Sequence, residues 1–155
     1  MSDAIFYYQH ALKIKPDYVD AQCNLANALV QNGNLNEGIE HYQQALKSNP
    51  NSIIACNNLA YLLATCGDPL IRNELQAEKL AQRAVQLSEG NNPLILRTLA
   101  ITYSKQGRFV EALATIKLAL QKAEAQGNFN LSAALQKELE SYQSNQPPSI
   151  EPSDK

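Results

Sequence analysis

Residues 19–52 read VDAQCNLANALVQNGNLNEGIEHYQQALKSNPNS, and this stretch decides the fold. Its apolar positions, Leu25, Ala26 and Leu29, then Ile39, Tyr42 and Leu46, recur at i, i+3, i+4 and i+7, the spacing of one face of an α-helix. Gly33 separates the two runs, and Pro50 follows the second. A glycine ends a helix by taking the left-handed conformation that other residues adopt at a cost, and a proline cannot continue a helix. The stretch is therefore a helix, a tight turn, a second helix and a link.

The same unit recurs along the chain. Leu25-Ala26, Leu59-Ala60 and Leu99-Ala100 mark it three times, and Gly33, Gly67 and Gly107 keep the same two intervals, the second longer than the first. Ala11, Ala45, Ala84 and Ala119 form a column in step with them, and Pro16 and Pro50 repeat the shorter interval. Independent residue types in step define a repeat, which predicts an all-α solenoid of about eight helices in antiparallel pairs. Asn92-Pro93 reads as an N-cap with Pro at the first helical position, and Asp20 and Asn51-Ser52 as caps of other first helices. The longer interval holds an insertion over 69–76, expected to lengthen the start of the next helix.

A helix pair of this length resembles the tetratricopeptide repeat (TPR). Residues 19–52 carry its pattern through Leu25, Ala26, Leu29, Gly33, Gly38, Tyr42, Ala45 and Pro50, with Gly38 in place of the family's usual Ala and Gln22 in place of its frequent Trp. Residues 53–92 and 93–126 carry it again, and residues 3–16 match a second helix alone. Residues 129–143 form a stripe of Leu131, Leu135, Leu139 and Tyr142 with a polar opposite face, as the cap of a solenoid requires. Residues 144–155, with three prolines, read as a disordered tail. The style is that of bacterial TPR arrays and of the O-GlcNAc transferase superhelix. The resemblance implies a right-handed superhelix whose concave groove holds a peptide or a partner helix.

Composition narrows the function. Thirteen Lys and Arg against fifteen Asp and Glu make no electrostatic case for nucleic acid. No apolar run approaches the ~18–20 residues that span a bilayer. The first residues show neither the basic flank nor the apolar core of an export signal, so a cytoplasmic setting is expected. Cys23, Cys56 and Cys66 lack metal-site spacing and read as small packed residues. His10 and His41 have no carboxylate partner in the pattern and read as outer residues of second helices. The chain is thus expected to be non-catalytic, with no cofactor and no metal.

The resemblance places the groove on the first helices. Registering on Leu-Ala gives Asp20, Cys23, Asn24, Asn27 and Gln31 from the first repeat, Ile54, Asn57, Asn58, Tyr61 and Thr65 from the second, and Arg97, Thr98, Ile101 and Lys105 from the third. Asn24 and Asn58 share one repeat position and are similar to two rungs of the asparagine ladder of O-GlcNAc transferase arrays. Arg97 and Lys105 would place cations at one end of the groove, suited to an acidic group on an extended peptide. A protein or peptide partner is the first expectation. The alternatives are the regulatory arm of a larger enzyme and a homo-oligomer that self-associates through Ile5, Phe6, Tyr7 and Tyr8. The repeats begin on a second helix, which reads as part of a longer array or as a helix covered by another copy.

Overall fold

The computed structural model describes residues 2–144. Ser144 closes the last helix, and the rest of the expected tail, 145–155, lies outside the described residues. Eight α-helices follow one another among the described residues: α1 (Ser2–Ile14), α2 (Val19–Gln31), α3 (Leu35–Ser48), α4 (Ile53–Thr65), α5 (Glu74–Leu87), α6 (Pro93–Lys105), α7 (Phe109–Ala125) and α8 (Phe129–Ser144). Each helix packs chiefly on its neighbours in sequence, and α4 also packs on α6, so the helix pairs stack as an α-solenoid with α2, α4 and α6 on one side.

The turns follow from local chemistry. Gly33 and Gly107 hold φ of 85° and 74° and end α2 and α6 in the left-handed region. Gly67 does not share this geometry: α4 ends at Cys66 with ψ of 130°, and the chain runs on into the insertion. Ser52 caps α4 by accepting from Ala55 N, and Asn92 caps α6 by accepting from Leu94 N and Ile95 N. Asp20 is not a cap; Tyr18 precedes α2, and Asp20 sits in its first turn.

The insertion does not lengthen α5, which has 14 residues, as α3 does. Its extra residues form a closed turn instead. Asp68 receives the N–H groups of Leu70, Ile71 and Arg72, Asn73 N donates to Leu63 O at 3.0 Å, and the Asn73 side chain caps α5 through Gln76 N. Satisfying those donors outside the helix removes the reason to extend it. Ile71 tucks against the core between α3, α4 and α5, whereas Leu70 stands 96% exposed.

The core is built from small residues at the helix crossings. Ala45, Ala77, Ala81, Ala84, Ala112 and Ala119 are fully buried, and Leu25 and Leu59 fill the space between repeats. The first crossing shows how closely volumes are matched. A Cβ added to Gly38 would lie 2.5 Å from Val30 Cγ2 and 3.2 Å from Ala26 O. Val30 has its counterparts in Ala64 and Ser104, and Gly38 in Ala77 and Ala112. Where the first helix carries the larger residue, the second carries no side chain.

Gly38→Ala alone therefore destabilises the fold by about 1 kcal/mol in urea denaturation, because overpacking costs ~1–3 kcal/mol and the helix-propensity gain returns only ~1 kcal/mol. In a Val30→Ala background the same change costs at least ~1 kcal/mol less, since the contact with Val30 Cγ2 is gone and only the 3.2 Å approach to Ala26 O opposes the propensity gain. An equal cost in both backgrounds would rule out the matched crossing.

Candidate interaction groove

A cleft of about 480 Å³ crosses the side of the solenoid formed by the first helices. The C-terminal half of α2 contributes Asn27, Val30 and Gln31, and Tyr42 enters from α3. α4 supplies Asn57, Asn58, Tyr61, Leu62 and Thr65, from its middle to its C-terminal end, and the N-terminal half of α6 supplies Leu94, Arg97 and Thr98. The cleft thus runs diagonally, low on one helix and high on the next but one.

That diagonal sorts the expected residues. Asn27, Gln31, Asn57, Asn58, Tyr61 and Arg97 line the cleft. Asp20 and Asn24 are exposed on α2 but lie toward its N-terminus, and the helical rise from Asp20 to Asn27 is about 10 Å. Lys105 is exposed at the far end of α6, about 12 Å along the axis from Arg97. Cys23 is excluded outright: it is 2% exposed and packs against Ala45 and Ala55. Its counterparts two before the next leucines, Asn57 and Arg97, do line the cleft, so what removes Cys23 is its packing between α3 and α4 and not its register. Val30, Tyr42, Leu62 and Leu94 belong to the lining although the register on Leu-Ala does not point to them. The Tyr42 ring is buried, as a packing residue should be, but its hydroxyl reaches the cleft.

The cleft has a polar floor wired by hydrogen bonds. The Tyr42 hydroxyl donates to Asn27 Oδ1, which also accepts from Asn58 Nδ2 at 3.0 Å. Asn57 Nδ2 then donates to Asn58 Oδ1 at 3.1 Å. Burial pushes the Tyr42 phenol up to about 12, so it remains a donor throughout the neutral range. Because Asn27 Oδ1 accepts twice, the Asn27 amide hydrogens are left to donate elsewhere. At the other end Asn57 Oδ1 is buried without a partner. The run spans α2, α3 and α4, and it bridges α2 and α4 where their backbones touch only sparsely. Asn24, which shares its repeat position with Asn58 and was expected as the other rung of a ladder, has no part in it.

Arg97 is not free. Its Nε donates to Glu138 Oε1 at 2.7 Å, and its Nη2 donates to the same oxygen. This bond from the capping helix raises the Arg97 pKa further above its usual range. Arg97 is the one charged residue of the lining, so with Glu138 beside it the groove walls are electrically balanced. Tyr142 stands near the pair, its phenol pushed up to about 12 by burial. His41 likewise has a partner rather than an open outer face: its Nδ1 lies 2.6 Å from Gln22 Oε1, so that nitrogen carries the proton, and Gln22 Nε2 donates to Pro16 O.

All three cysteines are free and buried. No group of three or more His, Cys, Asp or Glu that could hold a metal occurs among the described residues. No helix among them is long and apolar enough to cross a membrane.

Stacked antiparallel helix pairs with small residues at their crossings define a helical-repeat solenoid, and comparison with known proteins names the repeat. Residues 19–52 match the family model of the tetratricopeptide repeat, and residues 2–33 match a second model of the TPR repeat. The second window starts half a unit before the first, so it takes α1 and α2 as its helix pair. The structure of MamA superposes with a TM-score of 0.64 at 18% identity, over 91% of this chain and 85% of that one. TTC0263, a thermophilic TPR protein from Thermus thermophilus, superposes with a TM-score of 0.64 at 16% identity, over 91% of this chain and 88% of that one. At such identities the likeness is one of fold. No curated protein matches the chain in sequence. The two matches, within residues 2–52, and the shared solenoid fold support a tetratricopeptide repeat protein and, in general terms, a scaffold for protein interactions.

The Arg97–Glu138 pair is two-thirds or more buried on both sides. Glu138→Leu strands a guanidinium and lowers stability by about 2 kcal/mol, whereas Arg97→Met with Glu138→Leu recovers at least half of that loss. A double variant less stable than Glu138→Leu alone would mean that Arg97 is held by something other than Glu138.

Proposed function

We propose that the protein binds an extended, uncharged peptide segment of a partner protein along the diagonal groove. The observation that carries this reading is the hydrogen-bonded run Tyr42–Asn27–Asn58–Asn57, with the Asn27 amide hydrogens left to donate. An extended backbone offers N–H and C=O groups in alternation, and carboxamides complement both. The side chains are already tied to one another, so little rotamer freedom is lost when a ligand arrives.

The walls favour apolar side chains on that segment. Leu94 is 52% and Tyr61 45% exposed, and Val30 and Leu62 border the same space. Charge gives no further grip, since Arg97 is already matched by Glu138. The acidic ligand group expected from Arg97 and Lys105 has no free cation to meet within the lining. The groove reading involves neither catalysis nor a cofactor.

Short peptides selected from a random display library against the protein should be uncharged and rich in apolar residues. Their affinity changes less than threefold between low and high salt, since screening acts on free charges. Asn27→Ala with Asn58→Ala weakens them at least tenfold while the far-UV circular dichroism stays the same. Undiminished binding by that double variant, or selection of acidic peptides whose affinity collapses with salt, would refute the groove assignment.

A further inference from the structure

Donors and acceptors are not equally available on the groove floor. The carboxamide oxygens are committed: Asn27 Oδ1 accepts from both the Tyr42 hydroxyl and Asn58 Nδ2, and Asn58 Oδ1 accepts from Asn57 Nδ2. Asn57 Oδ1 is buried, closed off from the open cleft. The amide hydrogens are not committed to the same degree. A carboxamide nitrogen carries two; Asn57 and Asn58 each use one inside the run, and Asn27 uses neither. Arg97, next along the lining, adds N–H groups and no acceptor. The hydroxyls of Thr65 and Thr98 turn back onto carbonyls of their own helices, and Gln31 and Tyr61 are exposed to water.

A floor rich in free donors discriminates between backbones. An ordinary extended segment brings an N–H with every residue, and an N–H turned toward this floor meets another donor. A buried donor left unpaired costs more than a typical hydrogen bond gains. Proline brings the carbonyl without the N–H, and its ring holds φ near −65°, so a proline run is extended in polyproline II before it binds. The walls suit its rings: Tyr61 is 45% and Leu94 52% exposed, and Val30 and Leu62 adjoin them.

On the reading that this groove holds an extended peptide of a partner protein, we propose that the peptide is proline-rich and bound as polyproline II. Its carbonyls accept from Asn27, Asn57 and Asn58, and its rings pack on Tyr61 and Leu94. Two helix spacings of ~10 Å carry the groove from α2 to α6, a distance that about seven residues cover at ~3.1 Å each. The residues expected to self-associate, Ile5 and Tyr8, half-buried, and Phe6 and Tyr7, 62% and 68% exposed, all lie on α1 and take no part in this lining.

Three uncharged peptides, acetylated and amidated, test this by titration calorimetry against the full chain. The first is Ser-Pro-Pro-Leu-Pro-Pro-Leu-Ser; in the others every proline becomes alanine or N-methylalanine, which lacks both the ring and the N–H. The proline peptide should bind at one site, the N-methylalanine peptide within fivefold of it, and the alanine peptide at least tenfold more weakly. Asn27→Asp keeps the oxygen to which Tyr42 and Asn58 donate but removes the amide hydrogens, and should weaken the proline peptide at least tenfold. Undiminished binding by Asn27→Asp, or an N-methylalanine peptide as weak as the alanine one, would overturn the proposal. Equal binding of the proline and alanine peptides, both lost with Asn27→Ala and Asn58→Ala together, would overturn the proline preference and leave the groove reading standing. Proline-peptide binding untouched by that double variant would overturn both. Pro147 and Pro148 of the chain itself lie outside the described residues; changing both to Ala in the full chain should alter binding less than twofold. A tenfold gain would give the groove to the chain's own prolines and overturn a partner as the source.

Discussion

The close crossing of first and second helices is the constraint on which the rest depends. At the first crossing the backbones approach so nearly that a single added carbon meets Val30 Cγ2 at 2.5 Å. Interiors packed at crystal density leave no slack for mismatched volumes, so Val30 with Gly38, Ala64 with Ala77 and Ser104 with Ala112 are choices made in pairs. This approach lets the Tyr42 hydroxyl reach Asn27 from the neighbouring helix, and it fixes how α2, α4 and α6 present their outer faces. Recognition chemistry thus follows from packing, one layer out.

Periodicity made the helices legible. The Leu-Ala pairs, the single glycines and the alanine column report packing, and packing repeats because every unit meets the same neighbours. The face of each first helix was legible for the same reason, and Asn27, Asn57, Asn58 and Tyr61 lie in the cleft on the face that the register indicates. Height along the helix was not. A register is blind to how one helix axis crosses the next, so Asp20, Asn24 and Lys105 share the expected surface yet lie off the diagonal. Pairings between distant side chains were equally hidden: Glu138 is 41 residues from Arg97, and nothing local to either announces the bond. Cys23 failed by packing, covered by Ala45 and Ala55 at the register position where Asn57 and Arg97 stay in the cleft, and the 69–76 insertion by turn chemistry, because Asp68 and Asn73 close a loop where a longer helix was expected.

The groove has a polar floor held by hydrogen bonds from three helices, and its single charged residue, Arg97, is matched by Glu138. Under the proposed reading, its hydrogen-bonding capacity is partly committed before any ligand arrives.

The central claim, that close packing holds the groove carboxamides in one hydrogen-bonded run before any ligand arrives, is open to direct measurement. Solution NMR of the unliganded protein reads the side-chain NH₂ resonances of Asn27, Asn57 and Asn58. The account predicts that the Asn58 and Asn57 pairs are dispersed and exchange with water at least tenfold more slowly than that of the exposed Asn24, and that Tyr42→Phe shifts Asn27 and Asn58 together. Random-coil shifts and solvent-like exchange for all three would contradict it.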